Sequence, residues 1–440
     1  MTADAAPPRE SLGRRFRLLM GCLLLSTLGN GLCFPFTAIY ISELLGLGSR
    51  AAGGYFIAMA AASFAAALLG GPLADRAGPH RVGALGAAAL AVGYGMLAPV
   101  DAVVPVLISG ACVGVGFGLF YASIVGVVDA AVPESGRRTA FSVRHIVNNV
   151  GIGAGSVVAG LVLHGAQAPV GTLRWLYVAN AAAAVPLMVA IWALRPRESA
   201  QVREEKSEPG GGPTYRTLLR GRPMALLVLA QALFAIVGFT QIEATVPLLL
   251  HDHMGVTLGW VSAVVAANSF ALVALQPLLR RRLERLPETV ALAAGPVLWA
   301  AAFGCGLGAV LAGDSASSVV RYGLLLAFAV VFAAGELMYS SAFYPLLLRW
   351  SGEAAVGRAS ALASLAWNLG TASGPPIGLL VIAHTSATGS WVALAGGAAA
   401  AFAVAGALHH RATDHRATDH RATDHRAAEH RAAEHRAAGG

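Results

Sequence analysis

The stretch VVPVLISGACVGVGFGLFYASIVGVV, residues 103–128, decides the fold class because it contains no charged residue. A helix that spans a membrane needs about 20 apolar residues. Similar apolar runs recur along the chain, which is 56% hydrophobic and 12% charged, with a mean hydropathy of +0.64. Soluble domains usually carry about 25% charged residues. The chain is therefore expected to lie in a lipid bilayer.

These apolar runs predict helices rather than the strands of a barrel. A backbone in lipid must satisfy its own hydrogen bonds, which leaves helices or closed barrels. Barrel strands alternate apolar and polar residues, whereas the runs here are unbroken. The fold class is thus predicted to be an all-α membrane protein with twelve transmembrane helices. Their approximate ranges are 16–42, 52–73, 81–99, 103–128, 139–163, 173–194, 224–250, 258–279, 289–311, 321–346, 357–383 and 390–408.

The basic residues predict the orientation of these helices. The loops of one side contain few arginines, namely Arg50, Arg174 and Arg321, whereas the N-terminus and the alternate loops are rich in arginine. Such a bias marks the cytoplasmic side of a membrane protein. We therefore expect a multi-pass protein of the cell (inner) membrane with both termini in the cytoplasm. The formal net charge of +8 is distributed between the spans, which argues against nucleic acid as a partner.

Polar stretches divide the predicted helices into two sets of six. The predicted segments are a cytoplasmic N-terminus (1–15), an N-terminal six-helix half (16–194), a cytoplasmic linker (195–222), a C-terminal six-helix half (223–408) and a tail (409–440). The pattern N-x-G-x-x-x-G occurs in helix 5 from Asn149 and in helix 11 from Asn368, as expected for repeated halves. The tail repeats a histidine every five residues, which favours a solvated, disordered segment; metal capture or pH sensing is the alternative.

The loop after helix 2 reads Gly71-Pro-Leu-Ala-Asp75-Arg76-Ala-Gly78-Pro-His-Arg81. This loop resembles the major facilitator superfamily signature G-x-L-A-D-R-x-G-R-[KR], with a proline where the family prefers a basic residue. The resemblance covers about residues 15–408. It implies the major facilitator fold, in which two six-helix halves transport a small molecule by alternating access. Gly71 and Gly78 would allow the two helices to turn tightly and approach closely.

The same resemblance implies a gate at the cytoplasmic side. In the family, the acid that corresponds to Asp75 holds the start of helix 11 in the outward-facing state, and Arg358 is its expected partner here. Asp129, at the end of helix 4, matches an acid that competes for the arginines of the motif, here Arg76 and Arg81. The alternative is that these charges only set the topology.

Within the family, the pattern is closest to the twelve-span drug:proton antiporters. Their helix 5 carries G-x-x-x-G-P, to which Gly151 and Gly155 correspond, with Ser156 in place of the proline. We therefore expect a secondary active transporter, a proton-coupled exporter of a small hydrophobic or drug-like molecule. The alternatives are an importer or facilitator of a small metabolite, and a transporter-like membrane sensor without transport.

Ionisable residues inside the predicted helices are candidates for proton coupling. Such groups cost about 2.5–3.5 kcal/mol to insert and are functional by default. They are Glu243 in helix 7, Glu336 in helix 10, and Arg144 and His145 in helix 5. A carboxyl group removed from water favours its neutral form, so it can take up and release a proton. The alternative is a structural ion pair between one of the acids and Arg144.

Polar and aromatic residues at membrane depth are candidates for lining a substrate cavity. A mostly apolar surface with a few polar groups suits an amphipathic ligand. The candidates are Asn30, Tyr121, Asn149, Gln241, Asn268, Tyr339 and Trp367.

No motif indicates an enzyme or a bound cofactor. The single lysine, Lys206, lies outside any G-x-x-x-x-G-K-[ST] loop, and neither G-x-S-x-G nor H-E-x-x-H occurs. The four cysteines stand alone within apolar runs, which gives no metal site and no disulfide framework. The expected partners are lipid, a small-molecule substrate and protons, and the chain is expected to be a monomer.

Overall fold

The computed structural model describes residues 13–133, 137–164, 169–195, 215–283, 285–313, 318–351 and 356–411. All regular structure in these residues is helical, which confirms the predicted all-α fold. Twelve long helices follow one another in the described residues. They are α1 (Arg14–Leu44), α2 (Gly48–Ala77), α3 (Pro79–Leu97), α4 (Val103–Asp129), α5 (Arg137–His164), α6 (Pro169–Ala193), α7 (Arg222–His253), α8 (Leu258–Leu283), α9 (Glu288–Leu311), α10 (Ser318–Ser351), α11 (Val356–His384) and α12 (Ala387–Arg411).

Within the described residues, eleven helices are long and apolar enough to cross a membrane. The other long helix is α3, whose 19 residues begin with the polar start Pro79-His80-Arg81. Because α3 packs against both α4 and α6, it belongs to the bundle. Twelve spans therefore fit the structure, each long enough for the hydrocarbon core.

The predicted helix ranges agree with the structure to within a few residues for most helices. The largest differences are in α2, predicted as 52–73, and in α10, predicted as 321–346, both of which extend further at each end. A short helix, Tyr215–Arg220, lies in the segment predicted as a linker. Residues 196–214 and the tail 412–440 lie outside the described residues, so the interpretation of both stays a prediction.

Successive helices run in opposite directions, so the bundle has two ends. We call the end with Arg14, Ala193 and Arg222 the linker face, and the end with Leu44 and His253 the distal face. Within the first half, α4 packs against α2 and α3, and α1 packs against α5 and α6. Contacts between the halves involve α1 with α7, α2 with α11, and α5 with α8. The arrangement is symmetric, because the first helices of the halves pack together and the second helix of each half packs against the fifth helix of the other.

The two N-x-G-x-x-x-G patterns form equivalent helix crossings. A side-chain carbon added at Gly155 of α5 would overlap the carbonyl oxygen of Leu28 in α1, and one at Gly374 of α11 would overlap the hydroxyl of Thr240 in α7. Small residues at such positions let two helices approach closely in a membrane. In each half, therefore, the fifth helix crosses the first one at a glycine.

The first helices of the two halves, α1 and α7, are the irregular ones. Each ends in a π-helical turn, Tyr40–Leu44 in α1 and Leu249–His253 in α7, and α7 contains further π turns at Phe234–Phe239 and Gln241–Thr245. Both helices then stop at a glycine with positive φ, Gly46 (68°) and Gly255 (61°). This left-handed conformation favours glycine. π turns in helices are frequent at functional sites.

Hydrophobic packing joins the two halves at the distal end. The largest cluster of buried residues combines distal residues of the first half, such as Phe36 and Ile39, with Leu248 and Leu250 of the second half. At the linker end, a separate cluster that includes Phe16, Phe120 and other residues of the first half has no member from the second half among the described residues. Among the described residues, buried hydrophobic packing thus joins the halves at the distal end and not in this linker-end cluster.

Candidate functional site

The turn between α2 and α3 contains the predicted gating motif. Gly78 adopts a φ of 90°, and its N–H donates to the carbonyl of Ala74 at 3.0 Å, which ends α2. Asp75 lies in the last turn of α2 and Arg358 in the first turn of α11. Their side chains lie outside the described part of the structure, so the contact between them stays a prediction.

The other charged residues of the motif lie at the linker face. The side chains of Arg76 and Arg81 are exposed there, and Asp129 is the last residue of α4. One turn before Asp129, a side-chain carbon added at Gly126 would lie 3.0 Å from the ring of Pro79, the first residue of α3. The end of α4 is therefore packed against the start of the motif's second helix, as the proposed role of Asp129 requires.

Glu336 lies midway along α10 and is almost fully buried, with 7% of its surface exposed. The side chain of Asn268 in α8 lies close to this carboxyl group. The oxygen Oε2 has no hydrogen-bond partner within the described residues. A buried carboxyl oxygen without a partner is costly, and a proton would remove its charge.

Glu243 lies in the π turn Gln241–Thr245 of α7 and is only partly buried. It is within electrostatic range of Glu336 in the same half and of Tyr121 in the other half. Tyr121 is also within range of Arg144 and is 53% exposed. Glu243, Tyr121 and Arg144 therefore lie near one another between the two halves, in a region that we call the interior space.

The described residues do not form the alternative, a structural ion pair between Arg144 and one of the acids. Arg144 forms no salt bridge with Glu243 or Glu336 among the described side chains, and its Nε atom is buried without a hydrogen-bond partner. The neighbouring His145 lies with its Nε2 atom 3.3 Å from the side-chain amide of Asn149. The interior space thus has an unpaired cation on one half and acids on the other.

Three of the predicted cavity residues differ from that expectation, because they are packed within the second half. Tyr339 is 3% exposed, stacks on Phe234 with 3.9 Å between ring centroids, and donates to Oε1 of Gln231 at 3.2 Å. Trp367 also packs on Phe234, at 5.6 Å. The amide of Gln241 donates to the carbonyl of Ile236, which closes the neighbouring π turn. Aromatic packing and backbone hydrogen bonds therefore hold these side chains.

The remaining cavity candidates lie closer to the interior space. Asn149 is buried and donates to the carbonyl oxygen of His145 at 3.0 Å. Asn268 contacts Glu336 and also donates to the carbonyl of Ala329 at 3.4 Å. Asn30 is partly buried in α1.

A charged contact that no sequence motif indicated lies at the distal face. Nε2 of His251 in α7 lies 3.6 Å from Oε2 of Glu43 in α1, so the contact joins the two halves. The two residues are far apart in the sequence and lie at helix ends, where charged residues are common. Only their matching positions, each a few residues before a glycine, could have indicated the contact.

Comparison with known proteins now identifies the family. The model of the major facilitator superfamily matches residues 19–305 and 246–433. The chain belongs to the major facilitator superfamily, a family of membrane transporters rather than enzymes. Among curated proteins, no sequence matches this chain.

Solved structures show the same fold. A variant of the nucleoside transporter NupG is similar with a TM-score of 0.74 and 17% identity, over 90% of this chain and 99% of that one. A POT family transporter in complex with a thioalcohol-conjugated peptide has a TM-score of 0.70 and 14% identity, over 91% and 96% of the chains. A bacterial homolog of the human lysosomal transporter Spinster, inward-facing and unoccupied, has a TM-score of 0.62 and 14% identity, over 90% and 94%.

Proposed function

We propose that this chain is a proton-coupled secondary transporter that moves a small molecule by alternating access, with Glu243 as the proton carrier and Glu336 as its partner. One observation carries the proposal: the two acids lie within electrostatic range of each other at membrane depth, and neither is paired with a cation among the described residues. Intramembrane acids that face a bundle interior commonly mark proton pathways.

The chemistry of coupling follows from this pair of acids. Two negative charges at membrane depth repel each other, so a proton on one of them stabilises both. Glu243 is the better carrier because it is only partly buried and borders the space between the halves, whereas Glu336 is almost fully buried beside Asn268. A proton on Glu243 can therefore exchange with water when that space is open.

The conformation supports alternating access. Among the described residues, hydrophobic packing joins the halves at the distal end, whereas the linker-end cluster contains residues of one half only. If the arginine-rich linker face lies in the cytoplasm of the cell membrane, as the loop charges favour, this is an inward-facing arrangement. Rocking of one half against the other about the interior acids would then open the distal face.

For the cargo and direction, we propose export of a small hydrophobic or drug-like molecule, in line with the resemblance to the drug:proton antiporters. A second candidate is uptake of a small polar molecule. The unpaired Arg144 favours this second candidate, because it faces the space that Glu243 borders from the other side and could hold an anionic group. The names of similar structures, a nucleoside transporter and a peptide transporter, indicate polar cargoes for those proteins but give no direction of transport.

The test compares driven transport with passive exchange in vesicles that contain the purified protein. Glu243→Gln is expected to abolish accumulation driven by a proton gradient and to keep substrate exchange. Glu336→Gln should slow both processes because it changes a buried ionisable group that lies beside Asn268. Glu288→Gln is the control, since this acid pairs with Arg349 at 2.9 Å at the linker face.

Three results would count against the proposal. Full proton-driven accumulation of substrate by both Glu243→Gln and Glu336→Gln would mean that neither acid couples and that another coupling site exists. If the Glu288→Gln control loses as much proton-driven accumulation as Glu243→Gln does, the loss reflects a general defect of the protein. No transport of any candidate by the wild-type protein, together with specific binding, would favour a membrane sensor. A substrate panel with and without the gradient, in both vesicle orientations, decides between export and uptake.

A further inference from the structure

An acid and a histidine from opposite halves meet at the closed distal face. Glu43 lies in the π turn that ends α1, and His251 in the π turn that ends α7. The distance from Nε2 of His251 to Oε2 of Glu43 is 3.6 Å, and their side chains are 25% and 30% exposed. Since α1 and α7 belong to different halves, this contact must break when the distal face opens.

A second hydrogen bond determines which nitrogen of His251 carries a hydrogen. The Nδ1 atom lies 2.9 Å from the carbonyl oxygen of Val256. A carbonyl oxygen only accepts, so Nδ1 must be the donor. In neutral His251, Nε2 then carries a lone pair and faces the carboxylate of Glu43. That arrangement is repulsive, and it becomes attractive only when one more proton is bound by either group.

The backbone fixes the ring in this orientation. After α7 the chain turns at Gly255, and the N–H of Val256 donates to the carbonyl of Leu250 at 2.8 Å. This hydrogen bond places the Val256 carbonyl next to the His251 ring. The imidazole is therefore held in place by the end of its own helix, and its Nε2 atom remains directed toward α1.

We propose that Glu43 and His251 share one proton in the closed distal gate, so that the pair is a second proton-binding site whose proton is released as the gate opens. The role of this proton-binding pair in a transport cycle rests on the proposed function, whereas its role in closing the distal face does not. At low pH the shared proton closes the gate. As the pH rises the proton is lost, the lone pair and the carboxylate repel, and the distal face opens.

Other ionisable groups at this end do not replace the shared proton. His253 and Asp252 act on Glu43 with opposite signs, and they lie 3.6 Å apart on the same helix, so their own contact persists when the halves separate. The arginines stay charged at all relevant pH values. The remaining groups near the gate are His164 at the end of α5, Arg50 on α2, Arg174 on α6 and Arg321 on α10, which donates to the carbonyl of Met254.

The test measures gate closure directly in the full-length protein. Spin labels are placed at Ser49→Cys and Thr257→Cys, two exposed positions on either side of the gate, after the four native cysteines are replaced by alanine. Distances between the labels report the ratio of closed to open molecules in nanodiscs without substrate or gradient. Because histidines change charge between about pH 5 and 8, this ratio should fall over that range, by about three- to tenfold for a partly exposed pair.

Three substitutions distinguish the shared proton from other causes. Glu43→Gln and His251→Gln each introduce an amide N–H that can donate without an extra proton, so the gate should stay closed and lose its pH response. His384→Gln is the matched control, since this histidine ends α11 at the distal face with its Nδ1 atom bonded to the carbonyl of Leu380 in its own helix, and it should respond as the wild type does. A wild-type pH response in either glutamine variant, or its loss in His384→Gln, would overturn the proposal.

This readout is independent of transport. If the label distances in the wild type change with pH as expected, but proton-driven transport survives Glu243→Gln, only the proposed coupling site is contradicted. The loss of driven transport in Glu243→Gln together with a pH-insensitive gate in the wild type would contradict the gate only.

Discussion

Gly160 of α5 is the position at which one added methyl group should shift the balance between the two conformations. It faces α8, and a side-chain carbon there would lie 2.6 Å from Cβ of Ser262 and 3.4 Å from the carbonyl oxygen of Gly259. Carbon atoms in contact normally lie about 3.5–4.0 Å apart. Gly160→Ala therefore requires a shift of about 1 Å between helices that belong to different halves.

The expected magnitude follows from the cost of overpacking, about 1–3 kcal/mol. Because α5 and α8 are pressed together here only when the distal end is closed, the cost falls on the closed state. The gain in helix propensity, about 1 kcal/mol for alanine over glycine, is the same in both states and cancels. The ratio of closed to open molecules should thus fall by about 5- to 150-fold.

The assay is the distance between labels at Ser49→Cys and Thr257→Cys. The control is Gly304→Ala in α9, where the added carbon would have no neighbour within 4 Å, so only stability should change. An unchanged distance distribution in Gly160→Ala would refute the reasoning that this crossing closes the distal face, as would an equal shift in Gly304→Ala.

Two further predictions concern the linker face. Asp75→Asn should leave the protein inserted but reduce transport and favour the inward-facing state, because the family's acid stabilises the start of α11; wild-type transport would leave only a topological role for this charge. A reporter that is active only in the periplasm, fused after Gly440, should stay silent, because both termini are expected in the cytoplasm; its activity would contradict an even number of spans.

Much of the fold could be predicted because the bilayer restricts the choices. A helix that crosses lipid must be long, apolar and internally hydrogen-bonded, and such runs can be read directly from the sequence. The glycines could also be predicted, since Gly155 and Gly374 occupy equivalent crossings in the two halves. These features depend on neighbours within a turn or two, or on a repeated pattern.

The site was predicted less completely because it depends on which surfaces meet. Glu243 and Glu336 were recognisable, since a charge inside an apolar run is conspicuous in any sequence. Tyr339 and Trp367 were expected in the cavity, but aromatic residues serve equally well for packing, and only the fold shows that they contact Phe234. The contact between Glu43 and His251 depends on how two helices end. The hydrophobic pattern of the sequence does not determine the geometry of those helix ends.

The irregular helix α7 links the two proposed proton sites. Glu243 and His251 lie on this one helix, eight residues or about 12 Å apart, with π turns around both. An ideal α-helix would fix the relative direction of their side chains, whereas a π turn inserts a residue and changes that direction. A change in the π turn around Glu243 on protonation would therefore reorient the distal end of α7 and with it His251. The proton at the interior acids and the proton at the distal gate would then act on the same moving element, so that one helix couples proton exchange to the opening of the distal face.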